Sequence, residues 1–219
     1  MSSRNPKREL FTQLARVGTA LSSAVRLEIL ELLGQSERSV DELARLTGNA
    51  VANTSQHLQK LRQAGLVVGR KDGPFVYYRL TGDKVTALCT ALARVGEAHD
   101  AEIERIVRLY FLSKDDFEAI PAPELLDRAR RGLVTVLDVR PPEEFAAGHV
   151  PGAVNIPINE LEKRFRELRG RKEIVAYCRG PFCLMSYEAV ELLRKRGMKA
   201  RRLQDGMPEW RAAGLPVAV

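Results

Sequence analysis

Residues 177–197 read YCRGPFCLMSYEAVELLRKRG, and this stretch decides the fold of the second half of the chain. An apolar run leads into Cys178 and a short loop with Gly180 and Pro181, and apolar residues then recur at helical spacing. The pattern predicts a strand, a loop and a helix, with the Cys178 sulfur at the helix N-terminus. Backbone N–H groups and the helix dipole stabilise an anion there and favour a thiolate. We interpret Cys178 as a reactive thiol; the alternative is a buried structural cysteine.

Around this stretch, strand-like runs (VTVLDV, AVNI, EIVAY and ARRL) alternate with helix-like segments. Such alternation predicts an α/β domain with a mainly parallel sheet. The residues before the polar connector SKDDFEAIPAPEL read as almost wholly helical, and 219 residues are enough for two domains. We predict a mainly α domain over 1–112, a linker over 113–122 and an α/β domain over 123–219.

The first half contains a helix-turn-helix pattern. Ser39 and Glu42 fit a capping box before a short helix that Gly48 ends, and NTSQHLQKLRQAGL then reads as a second helix. The second helix of such a pair can enter a DNA major groove. The stretch VVGRKDGPFVYYRL follows, with two β-rich runs flanking Asp72 and Gly73. This is a hairpin signal and predicts a wing.

Charge supports a DNA partner. Between Glu42 and Asp83 lie six basic residues and one acidic residue, a net +5 within a chain of net charge +7. Side chains expected on phosphates are Lys60, Arg62, Arg70 and Lys71. Those expected at base edges are Asn53, Thr54, Ser55, Gln56 and His57, although His57 could instead pack where the helix meets the wing.

Residues 8–112 resemble the ArsR/SmtB family of winged-helix repressors. The resemblance rests on VRLEILELL, on TGNAVANTSQHLQKLRQAGLV and on the wing GRKDGPFVYYRL. It implies double-stranded operator DNA as a partner and a homodimer built from the first and last helices. The chain offers a matching, mostly apolar seam along the last helix, at steps of three and four residues and a final step of seven: Val85, Leu88, Leu92, Val95, His99 and Ile106.

The metal sites of that family are mostly absent from this sequence. Arsenic- and cadmium-type sensors use E-L-C-V-C-D-L, whereas the matching RSVDEL has Ser39 and Asp41 in place of thiols. His99 and Glu102 alone offer H-x-x-E spacing in the last helix. We expect no bound metal and no cofactor, and we interpret Cys89, beside the seam, as a buried apolar residue.

Residues 118–219 resemble a rhodanese domain, the sulfurtransferase fold, through VLDVRPPEEFAAGHVPGAVNIP, YCRGPFC and DGMPEWRAAGLPV. The resemblance implies that Cys178 takes the outer sulfur of a donor and becomes a persulfide. The loop would cradle that sulfur with Arg179, Gly180, Pro181, Phe182, Cys183 and Leu184, and Arg179 would be available to an anionic donor such as thiosulfate. Asp138 and Arg140 are expected to form a structural ion pair, and His149 to be architectural.

Two departures from related loops matter. Related phosphatases need an arginine six residues after the cysteine, in the pattern C-x5-R, and Leu184 stands there, so phosphatase activity is not expected. Many rhodanese loops carry arginine where this chain has Cys183. That residue is either a filler beneath the helix start or a resolving thiol for Cys178. The closing motif also has Asp205 before Gly206, where two glycines are commoner.

The leading hypothesis is a DNA-binding transcriptional regulator whose rhodanese-like domain transfers or senses sulfane sulfur through a persulfide. The alternatives are an arsenic- or metal-responsive repressor with an accessory thiol domain, and an enzyme whose first half serves dimerisation. Whether the domain turns over as a thiosulfate or sulfane sulfurtransferase is left open.

The N-terminus MSSRNPKREL lacks the apolar core of a signal peptide, and three cysteines suit a reducing compartment, so we expect a cytoplasmic protein that binds no membrane.

Overall fold

The computed structural model describes residues 5–111, 119–168, 170 and 172–219. The chain divides into two compact units, residues 1–86 and 87–219. Most of the predicted linker, residues 113–118, lies outside the described residues. The predicted domain limits therefore stay a prediction, and each unit is described by itself.

The first unit is a winged helix-turn-helix, as predicted. Its elements in chain order are α1 (Pro6–Leu21), α2 (Ala24–Gln35), β1 (Arg38–Ser39), α3 (Val40–Leu46), α4 (Val51–Gln63), β2 (Val67–Asp72) and β3 (Phe75–Leu80). The three strands form an antiparallel sheet in the order β1-β3-β2. Helices α3 and α4 are the helix-turn-helix, and β2 with β3 forms the wing.

Local sequence signals account for the turns of this unit. The Ser39 hydroxyl accepts from the Glu42 amide at 3.2 Å, and the Glu42 carboxylate accepts from the Ser39 amide at 2.8 Å, which completes the capping box. In the wing, Asp72 pairs with Phe75, so the turn consists of Gly73 and Pro74, and Gly73 supplies the positive φ of 57°.

The second unit begins within the helix α5 (Asp83–His99) and contains the parallel sheet. After α5 come α6 (Ala101–Tyr110), α7 (Ala122–Arg130), β4 (Val134–Asp138), α8 (Pro142–Ala146), β5 (Val154–Asn155), α9 (Ile158–Arg164) and a 3₁₀ turn (Phe165–Leu168). The unit closes with β6 (Glu173–Tyr177), α10 (Leu184–Lys195), β7 (Ala200–Arg202) and α11 (Met207–Ala212). The strand order is β5-β4-β6-β7, and every pairing is parallel, as predicted.

Both faces of the sheet are buried, each in its own apolar core. Ile174 and Ala176 of β6 point into the core that also holds Leu193 of α10, whereas Val175 and Tyr177 point into the core around Trp210 of α11. This burial fixes the register of β6. The next residue, Cys178, therefore leaves the carboxyl end of the sheet at a defined position.

The predicted apolar seam consists of two helices. Helix α5 ends at His99, and the Asp100 side chain caps α6 by accepting from the amides of Glu102 and Ile103. Val85 is buried, whereas Leu92 and Val95 on the same helix are half exposed. None of the described helices is both long and apolar enough to cross a membrane.

Candidate functional site

The Cys178 loop, residues 178–184, joins β6 to α10 at the carboxyl end of the sheet. Cys178 is 1% exposed, and Cys183 is the N-cap residue of α10. The two cysteines form a disulfide with their Cα atoms 6.4 Å apart, inside the range that disulfides span. The structure thus brings together the predicted nucleophile, the predicted resolving thiol and a helix N-terminus.

A fully buried ion pair lies at the end of β4. The guanidinium of Arg140 donates to Asp138 at 2.6 Å, and neither side chain is exposed. The same guanidinium donates to the Gly148 carbonyl at 2.9 Å, and the Arg140 amide donates to Asp138 at 2.9 Å. These bonds hold the β4 end and the segment before β5, which is the structural role expected from the sequence. His149 stacks on Phe145 and contacts its carbonyl through Nδ1, in agreement with an architectural role.

The sequence predicted that Arg179 would be available to an anionic donor. In the structure its guanidinium is instead paired within the fold. Its Nη2 donates to the Glu144 carboxylate at 2.7 Å, and its Nε lies 3.1 Å from both carboxylate oxygens. Glu144, on α8, is completely buried, so the hydrogen bonds from Arg179 replace part of the solvation that its carboxylate has lost.

The segment of residues 205–209, here called the closing segment, packs directly on the Cys178 loop. The Met207 amide donates to the Cys178 carbonyl at 3.1 Å. A Cβ atom at Gly206 would lie closer than 3.0 Å to the backbone of Arg179 and Gly180, so only glycine fits there. Any displacement of the loop backbone therefore acts on the closing segment.

The closing segment also contacts α5. The Thr90 hydroxyl donates to Glu209 at 3.0 Å, and Arg94 lies 3.7 Å from Asp205. Burial raises the pKa of Glu209 above its ordinary value. Burial, and then the nearby charge of Glu209, raises the pKa of the Cys89 thiol. A higher pKa leaves less of the nucleophilic thiolate, so Cys89 is poorly suited to act as a nucleophile.

Aromatic contacts join the end of α6 to the same loop. Phe111 meets Phe182 and Tyr187 edge to face, with ring centroids 5.7 and 5.5 Å apart. The Tyr187 hydroxyl donates to the Pro181 carbonyl at 3.2 Å. The Cys178 loop is thus held from the α5–α6 side as well as from the sheet.

In the first unit, α4 presents part of the predicted DNA-reading set. Asn53 and Gln56 are exposed, and Ser55 is partly exposed. Thr54 does not fit the predicted base contact, because it is fully buried and its hydroxyl donates to the Ala50 carbonyl. His57 is also turned partly inward: its Nδ1 is buried with no hydrogen-bond partner among the described residues, and burial followed by the charges of Arg26 and Lys60 lowers its pKa.

The predicted phosphate contacts differ in availability. Lys60, Arg62 and Lys71 are exposed. Arg70 is half exposed, but it donates to Glu37 at 2.7 Å and to Asp72 at 2.8 Å. It would have to leave these carboxylates to reach a phosphate.

Comparison with known families finds a different family match in each of the two units. Residues 23–68 match the family "Bacterial regulatory protein, arsR family", and residues 121–213 match the rhodanese-like domain. An HTH-type transcriptional regulator of Mycobacterium tuberculosis, Rv0324, is 47% identical over 211 residues, which cover 96% of this chain and 92% of that protein. The chain belongs to the ArsR family. It is a transcriptional regulator with a C-terminal rhodanese-like domain.

Two further relatives each match one part of this ArsR-family regulator. A sulfurtransferase of Allochromatium vinosum is 32% identical over 85 residues, 38% of this chain and 78% of that protein. A homodimeric winged helix-turn-helix DNA-binding domain of Mycobacterium bovis, solved by NMR, is 40% identical and covers 47% of this chain and 93% of its own, with a TM-score of 0.42.

Sequence reasoning about this regulator missed residues that only the fold brings to the loop. Glu144 follows a proline pair in PPEEF and carries no local sign of burial. Thr90 and Glu209 lie 119 residues apart, so no motif could pair them. Thr54 could have been placed correctly, because it shares a helical face with Leu58 and Leu61, both buried. Among the described residues, no group of three or more His, Cys, Asp or Glu side chains could hold a metal ion.

Proposed function

We propose that this ArsR-family regulator senses sulfane sulfur at Cys178 and changes its affinity for operator DNA in response. One observation carries the proposal: the closing segment contacts both the Cys178 loop and α5. By the family resemblance, α5 is a dimer helix. A change at the cysteine thus has a short physical route to the dimer.

The first step is sulfur transfer. The Cys178 thiolate attacks the outer sulfur of a persulfide donor, R–S–SH. A bond forms between Cys178 Sγ and that sulfur, the donor S–S bond breaks, and R–S⁻ leaves. Cys178 then carries the persulfide S–SH. The position at the N-terminus of α10 supports this role, because the helix amides and dipole stabilise the attacking thiolate.

The second step uses Cys183. Its thiolate attacks the inner sulfur of the persulfide, the Cys178–Cys183 disulfide forms, and HS⁻ leaves with the electron pair of the broken S–S bond. The Cα separation of 6.4 Å supports a role as resolving thiol. Alternatively, a thiol or cyanide removes the outer sulfur and completes a sulfurtransferase cycle.

Modification reaches α5 through packing. The outer sulfur must fit inside a loop whose Arg179–Gly180 backbone already touches Gly206. Movement of the loop would shift Asp205 and Glu209 against Arg94 and Thr90. A shift in affinity requires that the two sulfur states favour different dimer geometries.

The DNA-binding form would be a homodimer. It would act in the cytoplasm, where the operator DNA is. Half-exposed apolar side chains on α1 and α5 support self-association: Leu10, Phe11, Leu14, Leu92 and Val95 are each 45–60% exposed. Lys60, Arg62 and Lys71 would contact phosphates, while Asn53, Ser55 and Gln56 would face base edges.

Mass spectrometry combined with DNA titration tests the proposal. A DNA site would be selected from a random library by the reduced protein and then titrated with reduced and polysulfide-treated protein. We expect one added sulfur on Cys178, or a Cys178–Cys183 disulfide, and a change in affinity of roughly 5–150-fold. Cys178→Ser should abolish both effects, whereas Cys89→Ser should keep the label on Cys178.

The variants separate the two steps. Cys183→Ser should accumulate the Cys178 persulfide, because nothing resolves it within the loop. Equal DNA affinity in all sulfur states, with Cys178 fully modified, would mean that the rhodanese-like domain acts without regulating DNA binding. Labelling that persists in Cys178→Ser would overturn the nucleophile assignment itself.

A further inference from the structure

We infer that Glu144 sets the donor class of the Cys178 loop, so that the loop accepts persulfides, which release a thiolate, and discriminates against thiosulfate, which releases sulfite. This inference rests on the proposed function and specifies the donor for the same site. It follows from the charge of the loop, which holds a single arginine, Arg179, between Cys178 and Leu184.

The Arg179 charge is already balanced inside the protein. Glu144 is 0% exposed, and its carboxylate accepts hydrogen bonds from two guanidinium nitrogens of Arg179. If Arg179 turned to a donor, the fully buried Glu144 carboxylate would lose the hydrogen bonds that it now accepts from this guanidinium, which is unfavourable. The pair therefore behaves as a neutral unit toward an incoming ligand.

Two other arginines near the loop are also engaged. Arg140 is fully buried and bound to Asp138 and the Gly148 carbonyl. Arg202 stacks on the Tyr187 ring, 4.4 Å from its centroid, and donates to the carbonyls of Leu203 and Gln204. Both guanidinium groups serve the fold.

The side chains of the loop itself are apolar or small. Pro181 and Phe182 are partly exposed, and Leu184, at the start of α10, is 43% exposed. Thiosulfate carries two negative charges and must be desolvated against these apolar side chains. An organic persulfide presents a terminal sulfur without a sulfonate group and suits the same surface. Helix amides remain to stabilise the single charge of the reacting sulfur.

The transfer from a persulfide needs no further reactant. Cys178–S⁻ and R–S–SH give Cys178–S–SH and R–S⁻, with one S–S bond broken and one formed. Thiosulfate would release sulfite in the corresponding step, and sulfite must then leave the same apolar surface with its two charges.

The test compares the rates at which cysteine persulfide and thiosulfate label Cys178 in the full-length reduced protein, followed by mass spectrometry. Because the two donors differ in intrinsic reactivity, the quantity compared between variants is the ratio of their rates. We expect Glu144→Gln, which releases Arg179, to raise the relative rate of thiosulfate by about tenfold, the effect of one favourable charge contact.

Leu184→Arg provides the second variant, because Glu144→Gln changes a buried site and could unfold the domain. It adds a cation at an exposed position and should raise the relative thiosulfate rate in the same direction. Leu184→Gln is the matched control and should leave the ratio as in the unmodified protein.

The outcomes are distinguishable. An unchanged ratio in folded Glu144→Gln and in Leu184→Arg overturns the inference and leaves the proposed function intact. If neither cysteine persulfide nor thiosulfate labels Cys178 in the unmodified protein, the proposed function fails, and the inference fails with it.

Discussion

The Thr90 hydroxyl donates a hydrogen bond of 3.0 Å to the partly buried carboxylate of Glu209, from α5 to the first turn of α11. The second carboxylate oxygen accepts from the Gly206 amide at 3.1 Å. Burial raises the pKa of this carboxyl above its ordinary value of 4.5 even though both bonds favour the charged form. The folded protein therefore holds the Glu209 proton at a pH at which the unfolded chain has released it.

This difference predicts a pH-dependent stability with a definite sign. As pH rises above 4.5, the unfolded chain loses the Glu209 proton first, so this residue lowers the free energy of unfolding with rising pH. Glu209→Gln should flatten that part of the profile, measured by urea unfolding between acidic and neutral pH. The exposed Glu188→Gln is the control, and equal slopes in the two variants would contradict the assignment.

Gly206→Ala should destabilise the second unit, because its Cβ would collide with the backbone of Arg179 and Gly180. We expect a loss of about 1–3 kcal/mol in the free energy of unfolding, typical of overpacking. Gly82→Ala is the matched control, since a Cβ there meets nothing within 4 Å. If Gly206→Ala lowers the free energy of unfolding no more than the control does, the loop backbone can move away from the added Cβ at little cost.

Asp138→Asn should be far more harmful than a similar change at the surface. It removes the carboxylate charge that pairs with the fully buried Arg140 guanidinium, at a cost of about 3–5 kcal/mol. The control is Asp127→Asn, which removes an exposed i,i+4 pair with Arg131 and should cost about 0.5 kcal/mol or less. Denaturant unfolding measures both, and similar losses would refute a structural role for the buried pair.

Two changes on α4 should separate DNA affinity from specificity. Lys60→Gln should weaken binding to all sequences and reduce the slope of log affinity against log salt by about one, because one phosphate contact is lost. Gln56→Ala should cost about 1–3 kcal/mol, mainly on the selected site.

Fluorescence titration over a range of salt concentrations measures both effects. The exposed Lys195→Gln serves as the control for a general loss of positive charge. The α4 assignment fails if Lys60→Gln and this control have the same salt slope.

Local signals in the sequence predicted much of this fold. The capping box at Ser39, the hairpin at Gly73 and the strand runs of the second half depend on neighbours within a few residues. Such interactions can be recognised from spacing alone. The pairing of Cys178 with Cys183 was within reach for the same reason, because only five positions separate them.

The remaining features of the site depend on distant parts of the chain. Arg179 was expected to be open to an anion, but in the folded chain it donates to Glu144 of α8, 35 residues earlier. The contact of Arg94 with Asp205 likewise joins two segments that no local pattern relates. It also gives a structural context for Asp205, which departs from the commoner glycine of rhodanese closing motifs.

The close approach of Gly206 to Gly180 limits how the Cys178 loop could be exchanged with that of another rhodanese-like domain. A transplanted loop with a different backbone path would clash with the closing segment even when no ligand is bound. Residues 178–184 and 205–209 therefore form one unit for protein engineering, although 20 residues separate them. A chimaera that inherits both segments from the same parent keeps the fit, and one that mixes parents must rebuild it.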